Sequence, residues 1–325
     1  MNVGFYVEKV TPYEKAMAST RLRAHDPIRF LNRHSWEASF YEEGVDYDIV
    51  IFQKIFKADV RAVARSLKRR GVVTVLDINI NILDLERDAV GFTEEDKDAR
   101  KQQREELLHM LNVVDHVLTS SENLLIRYKQ EHQSVFLIEE GIINNFFHKH
   151  KKHNGIAQTL LYNGHAHKAL ELKKIEDVLV QLHREFQVEL AYVSQKDPEY
   201  DPIPTRHISY GDSSYPTPEM YLRGDIKIAP RDLTVPYNLG HSFNKVAYPM
   251  SVGLPAVASA VPSYINRTVL LCDSEQDWYN TLKELIKNPQ LRNLVGSKSQ
   301  KFVQREFSSD KIGEEYIKLM MYLLE

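Results

Sequence analysis

The sequence lacks the cysteines that a disulfide framework or a thiolate metal cluster requires. Cys272 is the single cysteine in 325 residues, so no disulfide can form within the chain and no cluster of cysteine ligands can assemble. This composition is typical of proteins from a reducing compartment.

Long apolar runs are also missing. No stretch approaches the roughly 18 uninterrupted apolar residues of a membrane-spanning helix. The apolar run at residues 1–7 is shorter than the core of a secretory signal peptide, and we interpret it as a strand. We therefore expect a soluble, cytoplasmic protein whose contact with a membrane, if any, is peripheral at its inner face.

The chain has no large excess of charge of either sign. Lysine and arginine number 42 and aspartate and glutamate number 45, which gives a formal net charge of −3. Generic nucleic-acid binding needs a surplus of cations and is not expected. No Gly-x-Gly-x-x-Gly motif follows a predicted strand, which argues against a Rossmann dehydrogenase. The length is sufficient for about two domains.

Apolar strands alternate with amphipathic helices along the chain. Strands are predicted at residues 2–7, 36–41, 47–52, 72–76, 116–119, 135–139, 159–162, 188–193, 225–229, 255–259 and 268–272. Helices are predicted at residues 21–32, 57–70, 98–113, 121–131, 168–185, 217–223, 242–252, 275–287, 289–305 and 309–324. Parallel strands need crossover helices, so this order predicts an α/β protein with two Rossmann-like domains facing a cleft.

The polar stretch Lys149 to Asn154 has no apolar period and is the best linker candidate. It divides the chain into a first domain of residues 1–150 and a second domain of residues 151–307. Residues 308–325 form a C-terminal helix that could cross back to the first domain.

The segment at residues 238–264 is the most informative one for function. Gly240 and His241 lead into a helix that Ser242 is expected to cap, and Asn244 and Lys245 lie in its first turn. A helix N-terminus already carries partial positive charge, so a lysine added there indicates an anion nearby. The alternative is a surface lysine on an ordinary helix.

Several motifs resemble those of GT-B glycosyltransferases, especially the donor-binding domain of the large retaining family four. The resemblance rests on Pro-Met-Ser-Val-Gly-Leu-Pro-Ala-Val-Ala-Ser at residues 249–259 and on Asp-Ile-Lys-Ile-Ala-Pro at residues 225–230. Residues 286–292, the Phe-Ser pair at 307–308 and Glu-Glu-Gly-Ile at 139–142 also fit, so it covers most of residues 135–325. It implies a GT-B fold whose second domain binds a nucleotide-diphosphate sugar and whose first domain binds the acceptor.

The chain departs from this family at several site positions. Gly240 and Tyr248 occupy the places of the two glutamates, the first of which lies against the transferred sugar and the second on the donor ribose. Tyr248 can still make a hydrogen bond, but not as a carboxylate. In place of the family's arginine and lysine, Lys168 could bind the diphosphate, and His165 could partly replace the arginine when protonated. His165 could equally be an exposed loop histidine.

The loop Tyr210 to Tyr215 stands where GT-B enzymes meet the nucleotide base. Tyr210 or Tyr215 could stack on the base, with Gly211 between them. The alternative is a solvent-exposed turn, because clusters of glycine, aspartate and serine mark turns.

In the first domain, Asp77 follows a buried strand and could be a general base toward an acceptor hydroxyl, or could cap the next turn. Arg21 and Arg23 begin the first helix and could bind anionic groups on the acceptor side. The alternative for both arginines is a surface salt bridge.

No metal site and no cofactor are expected beside the nucleotide sugar as co-substrate. Asp46 and Asp48 resemble a metal-binding Asp-x-Asp motif but open a strand at its amino end, the wrong edge for a ligand. His148, His150 and His153 lie in the charged linker without carboxylate partners.

The helix at residues 57–70 carries a basic stripe along one face, formed by Lys57, Arg61, Arg65, Lys68 and Arg69. The stripe could contact anionic lipid, or it could simply be a solvated face.

The sequence thus predicts a metal-independent glycosyltransferase that moves a sugar from a nucleotide-diphosphate sugar to a hydroxyl acceptor. Two alternatives remain open. One is a non-catalytic nucleotide- or sugar-binding module of the same fold, which the absence of the paired glutamates suggests, and the other is a nucleotide-sugar epimerase, which shares the two-domain cleft.

Overall fold

The computed structural model describes residues 1–84, 94–211, 213 and 215–325. Its contacts divide the chain into two compact units. The first unit comprises Met1–Gly141, Thr234–Ser242 and Ser309–Glu325, and the second comprises Ile142–Leu233 and Phe243–Ser308. Each unit has its own sheet and its own apolar core.

The first unit contains a parallel sheet of six strands. The strands are β1 (Asn2–Tyr6), β2 (Glu37–Phe40), β3 (Ile49–Gln53), β4 (Val73–Ile78), β5 (His116–Thr119) and β6 (Val135–Leu137), in the spatial order β2-β1-β3-β4-β5-β6. Every residue of β3 is buried, as the continuous apolar run predicts for a strand covered on both faces.

Helices cover both faces of this sheet. They are α1 (Ala18–Thr20), a π-helical turn (Arg21–His25), α2 (Asp26–Arg33), α3 (Ala58–Arg69), α4 (Glu94–Leu111), α5 (Glu122–Tyr128), α8 (Pro236–Leu239) and α12 (Ser309–Leu323). The terminal helix α12 belongs to the first unit. This agrees with the expectation that the C-terminal helix crosses back to the first domain. Gly313 allows α12 to approach α2, because a Cβ there would lie 2.1 Å from the Phe30 ring.

The second unit contains another parallel six-stranded sheet. Its strands are β7 (Thr159–Asn163), β8 (Glu189–Ser194), β9 (Thr205–Ser209), β10 (Ile226–Ala229), β11 (Ala256–Ala258) and β12 (Leu270–Leu271), in the order β12-β11-β10-β7-β8-β9. Strands β7 and β10, the first and fourth of this unit along the chain, lie side by side in the sheet. This is the strand order of the Rossmann fold. The expectation of two Rossmann-like α/β units is confirmed.

The helices of the second unit are α6 (Glu176–Phe186), α7 (Pro218–Tyr221), α9 (Asn244–Ser251), α10 (Glu275–Lys287) and α11 (Pro289–Phe307). The predicted helix at 168–185 is divided, because Ala166–Ile175 is 3-10 helical and α6 follows it. Strand β9 was missed because its polar, edge-strand sequence has no apolar alternation.

The predicted linker at Lys149 to Asn154 is wrong, because these residues pack into the second unit. The Lys151 amide donates to the carbonyl of Val252, and His153 is buried with its Nε2 3.1 Å from the carbonyl oxygen of Gly253. The first boundary between the two units along the chain falls instead between Gly141 and Ile142.

Among the described residues, no helix combines the length and the apolar character needed to cross a membrane.

Candidate functional site

The candidate site lies at the carboxyl ends of β7 and β10, the two central strands of the second sheet. The chain proceeds from β7 to one side of the sheet and later returns at β10 to build the other side. In open parallel sheets, ligands bind at such a switch point, outside the carboxyl ends of the strands.

Three cationic side chains converge there on one carboxylate, Glu171. The distances to the Glu171 oxygens are 2.5 Å from Arg231 Nη1, 3.4 Å from Lys168 Nζ and 3.5 Å from Lys245 Nζ. The Tyr162 hydroxyl also donates to Glu171. These side chains come from four separate segments of the second unit.

Local structure explains how the side chains meet. Lys168 and Glu171 lie three residues apart on the 3-10 segment that follows β7, so both side chains share one face. Arg231 follows the end of β10, and Lys245 lies in the first turn of α9. The Tyr162 ring supports the cluster from the end of β7, with Lys245 Nζ 4.7 Å from the ring centre.

The cations dominate the electrostatics of the cluster. Burial favours the protonated form of Glu171, but Lys245, Arg231 and Lys168 outweigh it and lower the pKa of Glu171 to about 2. Burial and the nearby Arg231 lower the pKa of Lys245 to about 7, although Glu171 opposes this shift. With both lysines protonated, this cluster carries more positive than negative charge and can accept an anion.

Lys227 lies in the middle of β10 and is completely buried. Its Nζ is 4.8 Å from the centre of the Tyr162 ring and has no hydrogen-bond partner among the described residues. Burial lowers the pKa of Lys227 well below its usual value, and Lys245 and Arg231 lower it further. Burial therefore disfavours the charged form of Lys227.

Comparison with known proteins identifies the architecture. No family model and no curated protein matches the chain, but solved structures do. HepE of Anabaena, in complex with UDP-glucose, superposes with a TM-score of 0.67 at 13% identity, over 99% of this chain and 100% of that chain. The chain has the GT-B fold.

Two further structures support the GT-B assignment. An alpha-glucosyltransferase in complex with UDP gives a TM-score of 0.61 at 10% identity, over 99% of this chain and 100% of that chain. TarM gives a TM-score of 0.60 at 12% identity, over 83% of this chain. The match covers 54% of TarM, so this chain spans about half of that protein's length.

Two of the predicted diphosphate ligands, Lys168 and Lys245, do come together in this GT-B unit. His165 lies near both lysines, because their positive charges contribute to lowering the pKa of its imidazole. Desolvation lowers the pKa of His165, and His167 and the two lysines lower it further. This shift disfavours the protonated imidazole that would be needed to replace the charge of an arginine.

Sequence reasoning missed Arg231, Glu171, Tyr162 and Lys227. Arg231 could have been found, because it follows the carboxyl end of a predicted central strand, where GT-B ligands are expected. Lys227 also left a signal, since it interrupts a strand whose other residues are apolar and buried. Glu171 and Tyr162 left none, because a carboxylate on a helix and an aromatic residue in a strand are ordinary.

Gly240, His241 and Ser242 belong to the first unit, not to the second. Ser242 does not cap α9, whose N-cap is Phe243 without a side-chain hydrogen bond. Ser242 donates instead to Glu140 over 2.6 Å. His241 packs edge-on against the Tyr237 ring. The backbone of Gly240 is held in place, because its carbonyl accepts a hydrogen bond from the Ser121 hydroxyl.

The other predicted donor ligands lie on α9. Asn244 is the first residue of this helix, directly before Lys245. Tyr248 is one turn further on and is buried, with its ring edge-on to Phe146 and stacked near Tyr221. Aromatic packing therefore holds the ring of Tyr248 in a fixed position.

The predicted base-binding loop follows β9 at the carboxyl edge of the second sheet. Gly211 adopts a left-handed conformation with φ +58°, and its amide donates to the Ser209 hydroxyl. Tyr210 and Tyr215 are half-buried at the two ends of the turn, while residues 212 and 214 lie outside the described residues. Base stacking on these tyrosines remains a prediction.

The expectation that Asp77 acts as a general base is wrong. Asp77 and Arg23 are completely buried and form an ion pair with a distance of 2.8 Å. Arg23 also donates to the carbonyl of Ile138 over 2.5 Å. A side chain sealed in this way has no surface on which an acceptor hydroxyl could rest. The alternative of a turn cap is not what the structure shows either, since the carboxylate binds Arg23.

The acceptor-side role of the two arginines requires the same correction. Arg23 is sealed within the pair with Asp77. Arg21 is 3% exposed, with its guanidinium carbon 5.9 Å from the centre of the Tyr13 ring. Neither arginine presents its charge at the surface, which excludes the surface salt bridges as well.

No group of three or more histidine, cysteine, aspartate or glutamate side chains suited to a metal ion occurs in the part of the chain that the structure describes. Asp46 pairs with Arg70, and Asp48 accepts the amide of Asn2. On the basic stripe of α3, Lys57 pairs with Glu8 and Lys68 with Asp115.

Proposed function

We propose that this protein is a glycosyltransferase that moves a sugar from a nucleotide-diphosphate sugar to a hydroxyl acceptor. The observation that carries the proposal is the cationic cluster of Lys168, Arg231 and Lys245 at the switch point of the second sheet. It lies where GT-B proteins of this topology are expected to bind a ligand.

The charge of the cluster suits a diphosphate. Glu171 neutralises one of the three cations, so an excess of positive charge remains when both lysines are protonated. A nucleotide-diphosphate sugar carries one negative charge on each phosphoryl group and would complement that excess.

The same groups would stabilise the leaving group. As the bond between sugar and diphosphate breaks, negative charge develops on the diphosphate oxygens, and fixed cations in a desolvated site stabilise that charge. Arg231 is 1% exposed and is held by Glu171, so it is oriented before the substrate arrives. The proposal assigns this task to the three cations and to no metal ion.

The neighbouring structures support a nucleotide sugar as the ligand. The Anabaena HepE structure contains UDP-glucose, and the alpha-glucosyltransferase structure contains UDP. These ligands belong to those proteins, and UDP-glucose is therefore the first donor to test on this chain.

A non-catalytic binding module of the same fold is the second candidate. It is favoured by Gly240, which supplies no carboxylate at this position; a Cβ here would lie 2.9 Å from Leu124 Cδ2, so the Leu124 side chain would have to shift to admit a glutamate. Tyr248 cannot supply a carboxylate at the other position. This candidate predicts donor binding without turnover, whereas an epimerase would convert the donor without an acceptor.

The test is binding and turnover of a panel of nucleotide sugars that includes UDP-glucose. We expect one donor to raise the melting temperature and to be hydrolysed slowly without an acceptor. Lys168→Gln and Lys245→Gln should weaken that donor's binding. Lys283→Gln is the matched control, because Lys283 is a surface lysine of the same unit that pairs with Glu185.

The outcomes separate the candidates. A folded wild-type protein that responds to no donor on the panel contradicts the proposal. Binding without hydrolysis or transfer selects the binding module, and a donor returned with an inverted sugar centre selects the epimerase. If the Lys283→Gln control lost donor binding to the same extent, this result would contradict the assignment of the cluster as the diphosphate site.

A further inference from the structure

The cationic cluster of the second unit contains a carboxylate, Glu171, in the region where an anion is expected to bind. Its Oε1 atom lies 2.5 Å from Arg231 Nη1 and 3.4 Å from Lys168 Nζ. Its Oε2 atom lies 3.5 Å from Lys245 Nζ and accepts a hydrogen bond from the Tyr162 hydroxyl. Glu171 therefore contacts all three cations, and both of its oxygens are engaged.

The negative charge of Glu171 works against the binding of any anion, because like charges repel each other. The side chain is 13% exposed, and the surrounding cations lower the pKa of Glu171 to about 2, so the carboxylate is charged at neutral pH. Orientation of Arg231 does not require this charge, since a neutral amide oxygen could also accept its hydrogen bond. The retained charge indicates a role in the choice between anions.

Sugar transfer changes the charge of the ligand at the cluster. The bond between the anomeric carbon and the diphosphate oxygen breaks, and that oxygen keeps the electron pair. The anomeric carbon forms a new bond to the acceptor oxygen, whose proton passes to solvent. The donor carries two negative charges, whereas the product nucleoside diphosphate has a terminal phosphate whose second ionisation, near pH 6, adds a third. Donor and product thus differ by one unit of charge.

We propose that Glu171 is a specificity-determining residue that lowers the affinity of the cluster for the product nucleoside diphosphate more than for the donor, an inference that rests on the proposed function. With both lysines protonated, the three cations and Glu171 leave two positive charges. This excess equals the charge of the donor and is one short of that of the product. Repulsion by Glu171 grows with the charge of the ligand, so it favours release of the product.

The geometry of Lys245 gives the size of the effect. Its ammonium donates to the Tyr162 hydroxyl over 3.1 Å and faces Glu171 at 3.5 Å, and an ammonium has a third N–H for a ligand. A phosphate oxygen that accepts this N–H at roughly 2.8 Å lies within roughly 6 Å of the Glu171 carboxylate. At that distance one unit charge changes a binding constant about threefold in bulk water and about a hundredfold at the dielectric constant typical near a protein surface. We expect about tenfold.

The other titratable groups around the cluster do not supply this negative charge. Burial raises the pKa of Tyr162 well above its ordinary value, which keeps the phenol neutral. Burial lowers the pKa of Lys227 well below its ordinary value and also lowers the pKa of His165, and neither side chain can become an anion. The discrimination between donor and product is therefore assigned to Glu171.

The test measures binding of three ligands to the full chain by isothermal titration calorimetry at pH 7.0. The ligands are UDP-glucose, UDP, and UDP esterified with methanol on its terminal phosphate, which has the charge of the donor but no sugar. Glu171→Gln should raise the affinity for UDP about tenfold relative to the affinity for the methyl ester. UDP-glucose should follow the methyl ester, because the two have the same charge.

Three controls separate charge from structure. Glu171→Asp keeps the charge and should keep the wild-type ratio of the UDP and methyl ester affinities, even where both affinities fall. Glu189→Gln removes the same charge from an exposed residue at the amino end of β8 and should leave the ratio unchanged. Glu171 also raises the pKa of Lys245. Repeating the comparison in a Lys245→Arg background, where this cation stays charged, excludes that contribution.

The outcomes separate this inference from the proposed function. Wild-type donor binding together with an unchanged ratio in Glu171→Gln, or an equal change in Glu171→Asp, overturns the role of Glu171 alone. A wild-type protein that binds none of the three ligands overturns both. If Glu171→Gln does not fold, Lys168→Gln decides, since removing a cation should weaken UDP binding more than methyl ester binding. Equal losses would overturn the inference.

Discussion

Binding of UDP-glucose should weaken as the pH rises, because Lys245 loses its proton near neutrality. In the free protein the pKa of Lys245 is lowered to about 7 by burial and by Arg231. A diphosphate placed beside its Nζ stabilises the charged form and raises this pKa. The complex then takes up a proton that the free protein lacks above pH 7, so affinity falls with rising pH.

The expected change in the dissociation constant follows from the titration of Lys245 alone. If the pKa of Lys245 in the complex lies well above 8.5, the dissociation constant should rise about 25-fold between pH 6.5 and 8.5, approaching tenfold per pH unit at the upper end. Glu171 stays ionised over this range, since its pKa is about 2. Desolvation lowers the pKa of His165 from its ordinary value, so this histidine loses charge at lower pH than Lys245 does.

Isothermal titration calorimetry with UDP-glucose at several pH values measures this slope directly. Repeating the titration in buffers of different ionisation enthalpy counts the protons taken up on binding. The matched variant is Lys245→Arg, which stays charged throughout and should flatten the profile. A wild-type dissociation constant that is constant from pH 6.5 to 8.5, or a slope that persists in Lys245→Arg, would refute the reasoning.

Three substitutions test packing and buried charge by thermal unfolding. Lys227→Met should raise the melting temperature, because a buried amine without a hydrogen-bond partner costs about 1–3 kcal/mol and methionine fills a similar volume; a lower melting temperature would contradict this. Asp77→Ala should destabilise the first unit by about 3–5 kcal/mol, since it leaves Arg23 buried and unpaired; a change below 1 kcal/mol would show that the pair is solvated. Gly313→Ala should cost about 1–3 kcal/mol by forcing a methyl group into Phe30, and an unchanged melting temperature would show that the terminal helix is not closely packed.

The local pattern of the sequence was sufficient to predict the architecture of two α/β units. Continuous β-branched runs such as Ile49–Gln53 became buried central strands, and their alternation with helices implied two parallel sheets. These features depend on periodicity over a few residues, so they are readable without knowing what lies far away in the chain. The motif at residues 249–259 likewise resembled GT-B proteins, and the fold of the whole chain agrees with that resemblance.

The tertiary structure alone decided which charged side chains meet. Lys168, Arg231 and Lys245 are up to 77 positions apart in the printed numbering, yet all three contact Glu171. Conversely, Arg23 and Asp77 had the residue types of a catalytic site but form a sealed ion pair. Burial and charge pairing arise from contacts across the sheet rather than from neighbours in sequence. For this reason the sequence determined the two α/β units and singled out Lys168 and Lys245, whereas the contacts of these lysines with Glu171 and the presence of Arg231 beside them emerged only when the chain was folded.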